Sequence, residues 1–184
     1  MRRPRKSSTM ASTLPPALPL PSDSKVRIGH VHLKVADLER SLGFYRDVLG
    51  FTLMQRFGTQ AAFLSAGGYH HHLGLNTWES AGGRPPAPGT TGLYHVAFLY
   101  PGRAELADAV RRVLQAGLTL EGAADHGVSE AIYLHDPDGN GVELYRDRPE
   151  SQWPRTPDGR LAMGTEPLDL GAMLRDAPAP AGAN

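Results

Sequence analysis

Residues 29–35, GHVHLKV, alternate along their length: Val31, Leu33 and Val35 are apolar, and His30, His32 and Lys34 are polar. Period two predicts a strand with one face toward a core and one toward an open side. Behind it Leu38, Leu42, Tyr45 and Leu49 recur at helical spacing, so a helix follows. Asp37 is placed to cap its first turn and Gly50 to end its last. Phe44 and Tyr45 on this helix read as core. Strands are expected next at residues 51–57, 61–66 and 71–78. At Tyr94 the succession starts again. Tyr94, Val96, Phe98 and Tyr100 alternate with His95, Ala97 and Leu99. A helix at residues 103–116 carries Leu106, Val110 and Val113 on one side and stops at Gly117. Strands at residues 118–123, 131–135 and 142–146 complete the copy, the last two joined by the turn-rich DPDGNG.

Two copies of one β-α-β-β-β unit define an α+β fold class, two βαβββ modules forming a cupped sheet. The domain runs over residues 26–148, as module one (26–80), a linker (81–92) rich in Gly and Pro, and module two (93–148). A helix covers only one face of each sheet, so His30 and His32 are expected on the uncovered face. Two such faces brought together enclose a small-molecule site.

Composition narrows the chemistry. The 184 residues carry 19 basic and 19 acidic side chains, a formal net charge of zero. Nothing in that balance points to nucleic acid or an anionic membrane as partner. Cysteine is absent, which removes disulfides, thiolate metal sites and thiol nucleophiles. Any metal must sit on His, Asp or Glu. Residues 1–25 begin with four basic side chains but are then broken by prolines, so they read as a disordered tail rather than a secretion signal. A cytoplasmic location is the expectation. Residues 149–184 form an extension whose Ala- and Pro-rich end reads as loose.

IGHVHLKVADLERSLGFYRDVLGF and DHGVSEAIYLHDPDGNGVELYRD resemble the vicinal oxygen chelate superfamily of glyoxalases, bleomycin-resistance proteins and extradiol dioxygenases. The second stretch, and RPESQWPRTPDGRLAMGTEPLDL after it, is most similar to catechol-type extradiol dioxygenases. The resemblance implies a metal held by His30, His95 and Glu143, with Fe(II) as the first expectation and Mn(II), Ni(II) or Zn(II) as alternatives. Two histidines and a carboxylate leave positions open for a substrate and dioxygen. It further implies His71, in HHLGL, as the acid/base group, and His126 and Tyr133 as hydrogen-bonding partners of bound oxygen. His32 and Asn76 are candidate substrate-binding residues, Trp78 a rim residue, and His135 has no assigned role. The implied partners are an aromatic diol and dioxygen, with a homodimer possible. A glyoxalase-type isomerase or lyase is the alternative, with His72 as a fourth ligand. Strand alternation places His71 on one face and His70 and His72 on the other, so the two readings compete. A metal-free antibiotic-sequestering module is disfavoured by the intact ligand set.

Overall fold

The computed structural model describes residues 25–179. The readings of the N-terminal tail and of the last five residues therefore fall outside the described residues.

Both modules form as the periodicity predicts. In module one, β1 (Val31–Lys34) leads into helix α1 (Leu38–Leu42), followed by β2 (Thr52–Phe57), β3 (Ala61–Ser65) and β4 (Leu73–Asn76). The sheet order is β1-β4-β3-β2, with β1 and β4 parallel and the other pairs antiparallel. Module two repeats the plan with β5 (Val96–Leu99), α2 (Arg103–Gln115), β6 (Gly122–Asp125), β7 (Ser129–His135) and β8 (Gly141–Asp147). Its order is β5-β8-β7-β6, and a two-residue strand β9 (Glu166–Pro167) adds to β6. Helix α3 (Leu170–Arg175) follows and buries Met173 completely. Part of the segment read as an extension thus lengthens the second sheet and joins the core. Among the described residues no helix is long and apolar enough to cross a membrane.

Three boundaries differ from the expectation. Histidines 70–72 precede β4 instead of lying within it, because the chain turns through Gly67 and Gly68, both at positive φ. Strand β6 starts four residues later than the pattern suggested. The first helix also changes pitch: after α1 the chain continues as a π-helical stretch, Gly43–Val48, in which the Leu49 N–H reaches back five residues to the Phe44 carbonyl at 3.0 Å. Adjacent Phe44 and Tyr45 are both buried there, as the core reading required.

The covered faces meet in one core. Leu33, Val35, Leu38, Leu42 and Tyr45 of module one pack in a single cluster with Leu106, Val110, Ile132, Leu134 and Leu144 of module two. A polar clamp registers the modules beside that core. Asp136 and Asp138 of the DPDGNG turn are buried. Asp136 accepts hydrogen bonds from the Asp138 and Asn140 backbone at 2.9 and 2.8 Å, and from the Tyr45 hydroxyl of module one at 2.9 Å. Asp138 accepts from the Ala36 N–H at 3.0 Å, the Arg40 guanidinium at 2.5 Å and the Ser41 hydroxyl at 3.2 Å. Burial, and then the Asp136 charge, hold the Tyr45 phenol well above its ordinary pKa, so it stays a donor. The turn ends at Gly141, where even a Cβ would lie 2.1 Å from the Tyr94 carbonyl.

Removing one hydrogen bond to a buried carboxylate costs about 1.5–3 kcal/mol. Tyr45→Phe should therefore lower the urea midpoint by that equivalent with an unchanged slope. A wild-type midpoint would show that the clamp carries no stability.

Candidate active site

The open face of module two gathers most of the predicted chemistry. His95 stands immediately before β5, Glu143 lies in β8 and Tyr133 directly opposite it in β7. Alternation puts Val142 and Leu144 into the core and turns Glu143 the other way. His95 Nε2 is 2.9 Å from Glu143 Oε2. The Tyr133 hydroxyl is 2.7 Å from His126 Nε2, and the His95 and Tyr133 rings are 6.0 Å apart between centroids. Burial, and then the Glu143 charge, push the Tyr133 phenol above its ordinary pKa. His95, Tyr133 and His126 line one cavity of about 400 Å³, with Tyr94, Glu121, His135 and Thr165 also on its wall.

Module one holds a second cluster. His30, immediately before β1, has its ring 4.5 Å from that of His71, and His71 packs at 5.1 Å against Phe63. His70 Nδ1 lies 2.8 Å from His71 Nδ1. Burial, followed by the neighbouring His30, lowers the His71 pKa, which favours a neutral imidazole. The expected alternation fails as geometry, because these histidines sit in a turn. The His72 Nδ1 accepts from the Ala66 N–H at 3.3 Å and lies 3.1 Å from the Ser65 hydroxyl.

His32 lies over Gly74, where a Cβ would come within 2.9 Å of the ring, and packs on Phe63 and Trp78. It lines a different cavity, along the free edge of β1 beneath the linker. Asn76 is buried, and its side-chain oxygen accepts from the Trp78 N–H at 3.2 Å. Trp78 itself is exposed.

The donor set is partly assembled for an ion. Two bonds of about 2.1 Å meeting at a right angle place their donors about 3 Å apart, the separation seen for His95 and Glu143. His30 instead lines a cavity between β1 and β5 with His72, Val96 and Tyr145. Among the described residues no three His, Asp or Glu side chains converge closely enough to hold an ion.

Two features escaped the sequence reading. His135 Nδ1 meets Glu121 Oε1 at the cavity wall. Alternation along β7 could have placed His135 beside Tyr133, but nothing in the sequence pairs it with Glu121. Gly164 and Thr165 also reach His126 from the C-terminal segment.

Two βαβββ modules with histidines at equivalent places and a carboxylate in the last strand define a glyoxalase-type fold with a candidate site on its open face. The profile of the Glyoxalase/Bleomycin resistance protein/Dioxygenase superfamily matches residues 27–144, and the chain belongs to that superfamily. It is 44% identical over 150 residues to the catechol-2,3-dioxygenase of Bacillus subtilis, covering 82% of this chain and 52% of that protein. It is 32% identical over 121 residues to biphenyl-2,3-diol 1,2-dioxygenase 3 of Rhodococcus globerulus, covering 66% of this chain and 63% of that protein. The chain thus spans from half to under two thirds of the length of these relatives. Among solved structures, a glyoxalase/dioxygenase from Nostoc punctiforme shares the fold with TM-score 0.59 at 21% identity, covering 71% of this chain and 97% of that one. A lactoylglutathione lyase from Agrobacterium tumefaciens matches with TM-score 0.52 at 26% identity, covering 67% and 96%.

Glu143 raises the Tyr133 pKa by charge, so neutralising it must ease ionisation of the phenol. In Glu143→Gln the Tyr133 titration, followed by ¹³C NMR of labelled tyrosine, should move down yet stay above that of a free tyrosine, since burial is the larger cause. An unmoved titration would separate Tyr133 from Glu143.

Proposed function

We propose that the chain is a non-haem Fe(II) extradiol dioxygenase that cleaves a catecholic ring with dioxygen. The observation that carries this reading is the meeting of His95, Tyr133 and His126 on one cavity, with Glu143 2.9 Å from His95. The identity to two ring-cleaving dioxygenases supports it. The metal ligands in this reading are His30, His95 and Glu143, with exposed His30 joining the other two when the ion binds. When bound, the ion would supply Lewis acidity to the diol and a position for dioxygen. The protein's own groups do the rest. Neutral His71, beside His30, takes a proton from a diol hydroxyl and returns it later. Tyr133 and His126 offer hydrogen bonds to charge developing on oxygen. Phe63 and Trp78 give the module-one face an aromatic surface suited to a flat ring.

The glyoxalase-type alternative draws support from the structural match to a lactoylglutathione lyase. It needs His72 as a fourth ligand. His72 shares a cavity with His30 and has only Nδ1 engaged, by Ser65 and Ala66; the 44% identity to a catechol-2,3-dioxygenase favours the dioxygenase.

Loading with Fe(II) without air, then adding a catechol in air, should give a yellow ring-fission product. His71→Ala should lower kcat roughly 10²-fold with iron content retained. His30→Ala, His95→Ala and Glu143→Ala should each abolish iron uptake, and full iron content in all three would remove the ligand assignment.

A further inference from the structure

We propose that the C-terminal segment fixes the tautomer of His126 and so makes its Nε2 an acceptor for the Tyr133 hydroxyl. His126 follows Asp125 at the end of β6, at the apex of a turn closed by Asp125 Oδ1 accepting from the Gly127 N–H at 2.8 Å. Arg148 pairs with the same carboxylate. Strand β9 runs antiparallel to β6, with Glu166 opposite Asp125, and this register carries Gly164 past His126. The two residues are joined twice. The Gly164 N–H donates to the His126 carbonyl at 3.2 Å, and the Gly164 carbonyl lies 2.8 Å from His126 Nδ1.

A carbonyl oxygen can only accept, so Nδ1 carries the ring proton. Thr165 Oγ1, 3.3 Å from the same nitrogen, can accept as well. In a neutral imidazole Nε2 is then a lone pair, and the Tyr133 hydroxyl 2.7 Å away must be the donor. A phenol has one proton. Glu143, across the β7–β8 pair, also hydrogen-bonds this hydroxyl, and the Nδ1–H tautomer presents Nε2 as a second acceptor for the same proton. The proton is thereby kept on the Tyr133 hydroxyl, from which a negatively charged oxygen in the cavity can draw a hydrogen bond, since charged acceptors bind hydrogen more strongly than neutral ones. Gly164 and Thr165 are in this sense positioning residues that act through His126 and Tyr133. The consequence for oxygen chemistry rests on the proposed function; the tautomer does not.

The test reads the ring nitrogens directly. Full-length protein labelled with ¹⁵N-histidine should show His126 with its proton on Nδ1 and a lone pair on Nε2. A proton on Nε2 overturns the proposal. Gly164→Ala should leave the signals in place, because open space surrounds the position where its Cβ would go. Tyr133→Phe removes the partner at Nε2 and should leave the proton on Nδ1, because the Gly164 carbonyl still holds it. A move of the proton to Nε2 in folded Tyr133→Phe also overturns it, because Tyr133 and not the C-terminal segment would then set the tautomer. Should that variant fail to fold, the wild-type spectrum decides. A protein with the Nδ1–H tautomer that never cleaves a catechol would sink the proposed function alone. An active enzyme with the other tautomer would sink the clasp alone.

Discussion

Two carboxylates in one turn set the relation between the modules. Asp136 and Asp138 are buried, yet neither lacks partners, and the donors come from both modules. An unpaired buried charge is costly, so the turn and the N-terminal part of the first helix are mutually required. Tyr45, 0% exposed, spans the two: its ring belongs to the common core and its hydroxyl to the clamp. Because the clamp sits where β7 gives way to β8, it also anchors the two strands that carry Tyr133 and Glu143.

That constraint propagates outward. Close packing of the covered faces turns alternate residues of each strand to the open side, where they are free to do chemistry. On module two those residues meet as a continuous polar chain from His95 through Glu143 and Tyr133 to His126. The C-terminal segment ends that chain by holding the far nitrogen of His126. A buried ionic network secures the same region: Glu130, 3% exposed, pairs with Arg146 and Arg148, and Arg103 reaches Asp176 beyond α3. The segment after β8 is therefore part of the site's framework.

Much of this was legible in the residues. Period-two and helical spacing located both modules, and Asp37 caps α1 as its side chain suggested, accepting from the Arg40 N–H at 3.0 Å. The symmetry of His30 and His95 survives as equal positions, each immediately ahead of an edge strand. Other features were not legible because they depend on pairs distant in sequence. Nothing local to DPDGNG says that its aspartates face Ala36, Ser41 and Tyr45. The π-helical turn buries adjacent Phe44 and Tyr45 together, which a spacing rule for ideal helices cannot express. Histidines 70–72 were read as strand because apolar residues come after them, whereas Gly67 and Gly68 bend the chain first.

The open face is proposed to seat one ion on two imidazoles and a carboxylate. X-ray absorption on protein loaded with Fe(II) under nitrogen counts the imidazole rings around the metal. Two rings per iron, from His30 and His95, are predicted. Three rings, with His72 as the addition, would contradict that seat and place the chain with the four-ligand chemistry.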